Sequence, residues 1–188
     1  HPLVRVAVMP HSVYTCSPDL LQRLAGVAHR ENAILHLHLS ENAAEVSTCR
    51  ERYGVTPTRH LDELGVLGAT TLAAHCVVLD DDDIDLLADR KVKVSHCVES
   101  NLKLASGIAP VVRMLERGIT VSLGTDGSAS NNNVDMFGEM NCVAKVHKVD
   151  RMDPTAMSAE TALEAATLGG ARALGMEERI GSLAVGRK

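Results

Sequence analysis

The hydrophobic pattern of this chain switches period repeatedly. The run Val4-Arg5-Val6-Ala7-Val8-Met9 alternates and is rich in β-branched residues, which predicts a strand. Pro10 ends it. Ser17-Pro18-Asp19 then offers an N-cap, a proline at the first helical position and an early acid. A helix is predicted from there to about His29, with Leu20, Leu21, Leu24 and Val27 as its apolar stripe. The same succession recurs down the chain. Strands are predicted at 33–39, 70–76, 92–96 and 119–123. Helices are predicted at 43–52, 57–64, 81–89 (capped by Asp80), 110–117 (stopped by Gly118), 134–147 and 158–167, with a further helical stretch at 171–174.

Strand and helix thus alternate five times, which predicts an α/β fold with a parallel sheet and right-handed crossovers. A doubly wound sheet and an α/β barrel both satisfy that alternation. The placement of reactive residues favours the barrel. They follow several strands, where a doubly wound sheet would gather its chemistry at one switch point.

Composition narrows the function classes. With 188 residues the chain can bury a sizeable core. Aromatics are only 2%, with no Trp, so the core must be aliphatic, and a stacking platform for single-stranded nucleic acid is not expected. The formal charge of −5 leaves no basic footprint for nucleic acid. No apolar run approaches the roughly 18 residues of a membrane span. Five scattered cysteines without a CxxC pair suit reduced thiols in a cytoplasmic protein.

The candidate chemistry lies just after the strands. In Ile34-Leu35-His36-Leu37-His38-Leu39-Ser40-Glu41, residues two apart share a face, so His36 and His38 point the same way. His38 is nearer the strand's carboxyl end and is the better metal ligand. His36 reads better as a hydrogen-bonded core histidine. Glu41 lies in the loop above, where a carboxylate can act as acid or base. His75 ends the third strand behind two alanines and can stabilise developing charge. Asp126, in Gly124-Thr125-Asp126-Gly127, follows an apolar strand and can ligate a metal or take a proton from water. His11 reaches the same rim from the first strand. His96 ends the fourth strand, with no role that the sequence assigns. The acidic run 80–83 lacks EF-hand spacing and reads as a solvated helix start.

Taken together, these stretches resemble the amidohydrolase superfamily, and within it the branch of methylthioadenosine/S-adenosylhomocysteine deaminases and triazine chlorohydrolases. The resemblance rests on Pro10-His11-Ser12, His36-Leu37-His38-Leu39-Ser40-Glu41, Ala73-Ala74-His75-Cys76, Ser95-His96, the Ser100-Asn101-Leu102-Lys103-Leu104 stretch, and Gly124-Thr125-Asp126-Gly127 with its Asn-rich loop. It implies a partial (β/α)8 barrel comprising about strands four to eight with their helices. It also implies one zinc ion held by His38 and Asp126 among its ligands, with the remaining ligands supplied by a missing N-terminal part. By resemblance Glu41 is the proton donor and a substrate contact, His75 and Asp126 complete the catalytic set, and His11 touches the substrate. The pattern departs from the family at Val98, where a proline is usual.

The implied activity is hydrolytic deamination of an adenosine-type substrate. Dechlorination or deamination of a triazine or another heterocycle, and a non-catalytic binding or assembly unit, are the alternatives. A small nucleoside-like substrate is the expected partner, with a homo-oligomer as a further expectation from resemblance. Both ends of the chain look cut. Residues 1–180 are expected to be an incomplete barrel of a longer protein, and 181–188 to begin a further β segment. The isolated chain is expected to bind zinc weakly and turn over little.

Overall fold

The computed structural model describes residues 4–188; His1, Pro2 and Leu3, which open the expected barrel segment, lie outside the described residues. Five parallel strands form one sheet in the order β1-β2-β3-β4-β5. They are β1 (Ala7–Val8), β2 (Ile34–Leu39), β3 (Thr71–His75), β4 (Lys93–His96) and β5 (Val121–Leu123). Spatial order follows chain order throughout, so the sheet has no point at which its winding reverses. Right-handed crossovers then set the intervening helices on one face. These are α1 (Pro18–Arg30), α2 (Ala43–Tyr53), α3 (Pro57–Glu63), α4 (Asp81–Asp89), α5 (Val98–Lys103) and α6 (Val111–Glu116). After β5 come α7 (Ser128–Asn131), α8 (Met136–Arg151), α9 (Ala159–Glu164) and α10 (Gly170–Ala173).

The two faces of β2 differ. Leu35, Leu37 and Leu39 are buried in the aliphatic core with Leu21, Ala28, Leu61, Ile84 and Leu87. Ile34, His36 and His38 alternate with them on the opposite face and stay half-buried. Parallel register carries this division across the sheet, with His36 opposite Leu72, His38 opposite Ala74, and Ala74 opposite Ser95.

Local chemistry sets most boundaries as the residues predict. Ser17, Asn42, Thr56 and Ser158 each accept a backbone N–H of the first turn of the following helix. Asp80 and Asp83 form a reciprocal capping box on α4. The acidic run 80–83 is occupied by cations from neighbouring helices. Arg59 pairs with Asp82 at 2.7 Å, Arg113 and Arg117 with Asp81, and Arg50 with Asp80 at 3.7 Å.

Two expectations need correction, and one element was not predicted. The first strand shrinks to Ala7–Val8, because its register begins at Ile34 and, among the described residues, no strand pairs with 4–6. Val4 and Val6 are accordingly 64% and 78% exposed. Alternation alone makes no ladder without a partner opposite. The stretch 98–103 folds as α5, for which no side-chain cap exists at Cys97. Val98, in the place of the usual proline, is buried as its first residue. The expected helix at 158–167 is interrupted by a π-turn, Ala165–Gly169. Residues 181–188 carry a turn closed by Arg187 N–H to Ala184 O at 3.1 Å.

The π-turn lies hard against β5. A Cβ on Gly169 would stand 2.6 Å from Val121 O and 3.1 Å from Glu164 O, whereas one on Gly170 would meet nothing within 4 Å. Gly169→Ala should therefore lower the urea unfolding free energy by about 1–3 kcal/mol through overpacking. Gly170→Ala should leave it unchanged or raise it by up to about 1 kcal/mol, as alanine favours helix. Equal midpoints for the two variants would show that the π-turn does not depend on this close approach.

Candidate functional site

The carboxyl ends of the strands present His38, His75 and Asp126 on one rim. His38 is fixed twice by a single carbonyl. His11 O accepts the His38 backbone N–H at 2.9 Å and the His38 ring at Nδ1 at 2.8 Å. A carbonyl only accepts, so Nδ1 carries the proton and Nε2 keeps its lone pair free. That is the state in which an imidazole binds a metal. The His11 ring lies beside it, with centroids 4.5 Å apart.

His75 departs from strand alternation. It pairs in register with Leu39, which faces the helices. Its φ of 71° turns the backbone into the left-handed region, and Cys76 follows at 51°. The ring thereby comes to stack on His38, with centroids 5.4 Å apart and planes 18° from parallel. Asn101 Oδ1 lies 2.8 Å from His75 Nδ1 and accepts its proton, leaving Nε2 unengaged by protein.

Asp126 also has a left-handed φ, 58°. Its Oδ2 accepts hydrogen bonds from Ser100 Oγ at 2.7 Å and Ser130 Oγ at 2.6 Å. Burial opposes its ionisation. The two hydroxyls, the Gly127 N–H and nearby His75 more than offset that, and the carboxyl sits below its ordinary range. A carboxylate held ionised can ligate a metal or receive a proton.

Glu41 is half-buried above β2, and its N–H donates to Glu45 Oε2 at 2.7 Å. Burial raises the Glu45 carboxyl to about 6 despite that bond. The sequence assigns no role to Glu45, and it gives Ser100 and Asn101 only as part of the stretch that carries the resemblance, without a role of their own. Glu45 sits at ordinary helical spacing, and the other two belong to the uncapped helix α5.

Two histidines take no place at the rim. His36 Nδ1 lies 3.1 Å from Leu72 O, lower on the same strand. His96 pairs with Leu123 and meets His147 of α8, Nε2 to Nε2 at 3.2 Å, both rings fully buried.

The donors at the rim suit zinc chemically, being an imidazole oriented through its Nδ1–H and a carboxylate held below its ordinary range. Among the described residues, however, no group of three or more His, Cys, Asp or Glu is placed to hold a metal ion.

Against known proteins, the Amidohydrolase family matches residues 1–188. The chain belongs to the amidohydrolase family. It is 60% identical over 186 residues to a 5-methylthioadenosine/S-adenosylhomocysteine deaminase of Syntrophobacter fumaroxidans, covering 99% of this chain and 42% of that protein. It is 55% identical over 174 residues to a 5'-deoxyadenosine deaminase of Methanothermobacter thermautotrophicus, covering 93% and 41%. A crystal structure of an adenosine deaminase from Xanthomonas campestris with bound zinc superposes with a TM-score of 0.97 at 43% identity, covering 100% of this chain and 43% of that one. The chain spans about two-fifths of the length of the relatives it matches. Among the described residues no helix is long and apolar enough to cross a membrane.

The buried titratable groups set how this amidohydrolase segment responds to acid. Burial, with His147 beside it, pushes His96 down to about 3, and burial lowers His147 as well. An unfolded histidine takes its proton near 6.5, so below that pH acid favours the unfolded chain. Glu45 and Glu139, raised by burial to about 6 and about 7, act oppositely between 4.5 and those values. The two effects oppose one another between about 4.5 and 6.5, and only the histidine effect continues below. In urea titrations at stepped pH, replacing both His96 and His147 by Leu should flatten the acid loss of stability by on the order of a few kcal/mol. An unchanged acid slope in the double variant would remove the pair from this role.

Proposed function

We propose that these residues form part of the active site of a zinc-dependent hydrolase that deaminates a 5'-substituted adenosine. Methylthioadenosine and S-adenosylhomocysteine are its expected substrates. The observation that carries the reading is the convergence of His38, His75 and Asp126 on one rim, with His38 held in its metal-binding tautomer by His11 O at 2.8 Å. Deaminases at 60% and 55% identity support the substrate class. In this reading residues 1–180 contribute strands four to eight of a (β/α)8 barrel, and residues 181–188 begin a further β segment.

His38 Nε2 and the carboxylate of Asp126 are the ligands this chain offers to zinc, and residues outside it complete the set. Zinc held there would supply Lewis acidity that makes water a competent nucleophile near neutral pH. Asp126, kept ionised by Ser100 and Ser130, accepts a proton from the attacking water. The water oxygen bonds to the ring carbon bearing the amino group, and Glu41 delivers a proton to the adjacent ring nitrogen. His75, its Nδ1–H held by Asn101, turns Nε2 toward the adduct, where that nitrogen accepts a hydrogen bond from the adduct's hydroxyl and orients it. Asp126 passes its proton to the amino group, the adduct's hydroxyl proton returns to Glu41, and the carbon–nitrogen bond breaks as the carbonyl forms and ammonia leaves. His11, its ring tilted against that of His38, contacts the substrate. The five cysteines are all free, which supports a cytoplasmic setting. A homo-oligomer is the expected assembly.

The full-length protein should release ammonia from methylthioadenosine or S-adenosylhomocysteine and nothing from a chlorotriazine. Glu41→Gln and Asp126→Asn should each lower kcat by about 10²–10⁴-fold. Chloride release from the triazine without ammonia release from either nucleoside would replace this reading by the dechlorination one. Wild-type kcat in Asp126→Asn would overturn the assignment of Asp126. Residues 1–188 expressed alone should retain substoichiometric zinc by metal analysis, and a full equivalent with deaminase activity would contradict the shared ligand set.

A further inference from the structure

We propose that Glu139 is a positioning residue for Asp126, acting through the side-chain amide of Asn131. The inference rests on the deaminase reading for the importance of Asp126, though its geometry stands independently.

Glu139 lies in the first turn of α8 and is fully buried. A carboxyl there needs hydrogen-bond donors to be tolerated. It has Asn131 Nδ2, 2.7 Å from Oε1, and the more distant Glu99 N–H, 3.4 Å from Oε2. Asn131 Nδ2 also donates to Thr125 O at 2.7 Å. Both protons of that amide are thereby committed, one to the buried carboxyl and one to the carbonyl immediately before Asp126.

Thr125 C=O belongs to the peptide plane from which Asp126 turns. Rotation of that plane is coupled to the φ of Asp126, which is held at 58° where few non-glycine residues sit. Fixing the Thr125 carbonyl therefore fixes the direction in which the Asp126 side chain leaves the backbone. The neighbouring residue of α7, Ser130, grips the Asp126 carboxylate itself at 2.6 Å. Yet α7 is a four-residue turn without a side-chain cap, too short to hold its own conformation. Glu139, seated on a sixteen-residue helix, is the rigid end of the strut. Burial raises its carboxyl to about 7, against the opposing pull of the Glu99 and Val98 N–H groups and the Asn131 amide.

The test uses the full-length protein carrying Glu139→Ala, Asn131→Ala, both together, or Glu139→Gln. Zinc affinity is read by chelator competition, kcat and KM with methylthioadenosine, and hydrogen exchange across residues 125–131. Variants are compared at equal folded fraction by circular dichroism. Each alanine variant should lose about 10–100-fold in zinc affinity or kcat, as for other residues that orient a ligand. KM should change little, because substrate binding is not what the strut controls. The double variant should be no worse than either single, since both cut the same strut. Glu139→Gln should recover part of the loss, because its amide oxygen can still accept from Asn131.

A folded Glu139→Ala protein with wild-type zinc affinity, kcat and exchange would overturn the proposal, as would full additivity of the two alanine variants. Should the wild-type protein release no ammonia, the deaminase reading falls by itself. Zinc affinity and exchange across 125–131 would still decide the role of Glu139. If Glu139→Ala does not fold, Asn131→Ala carries the same decision from the other end of the strut.

Discussion

The carbonyl of His11 is the constraint on which the site depends. It accepts from His38 twice, at the backbone and at the ring, with distances of 2.9 and 2.8 Å. The first bond ties the loop after β1 to β2 beyond the short ladder. The second fixes which ring nitrogen holds the proton. Had the ring been free to choose its tautomer, half of its states would offer no lone pair toward the rim. The same loop brings the His11 ring against His38, so one backbone atom sets strand-end geometry, ligand tautomer and the nearest neighbour together.

Left-handed backbone recurs where the strands end, at Ser40, His75, Cys76 and Asp126. Each such non-glycine residue costs of order 1–3 kcal/mol and persists only where its surroundings hold it. The surroundings here are backbone hydrogen bonds between adjacent loops. Cys76 N–H reaches Leu39 O at 3.0 Å, and the Val77 and Val78 N–H groups both reach Ser40 O, at 3.1 and 2.9 Å. The consequence is chemical. Regular alternation would send His75 to the helical face with Leu39, and the turn brings it to His38 instead.

What the sequence discloses and what it hides follow from locality. Period and caps are local, so β2 through β5 and most helices fall close to where the pattern predicts them. His38 and Asp126 stood out in the sequence because residue types able to ligate a metal lie at or just after the end of a strand. Helix α5 was hidden because Cys97 offers no cap, and with it Ser100 and Asn101, the partners of Asp126 and His75. The retreat of β1 to Ala7–Val8 was hidden because it depends on where β2 begins. Glu139 was hidden most deeply. Its burial against Asn131 and Glu99 joins α8, α7 and α5, three elements whose packing no short window records.

The three buried or half-buried carboxyls near the rim show how one functional group is assigned opposite states. Asp126 receives two hydroxyls and a backbone N–H, and it stays ionised although burial opposes this. Glu45 and Glu139 are desolvated with fewer or longer donors, and both rise well above their ordinary range. Depth of burial and the closeness of the donors separate them: Glu45 and Glu139 are buried, whereas Asp126 is half-buried with two hydroxyls within 2.7 Å. Asp126 draws its donors from Ser100 and Ser130, side chains on two helices of six and four residues, neither with a side-chain cap. The charge at the rim is thus maintained by the least self-sufficient helices in the fold, and those helices hold their place through contacts to longer neighbours. Short helices beside a reactive carboxylate are for that reason part of its electrostatics as much as of its scaffold.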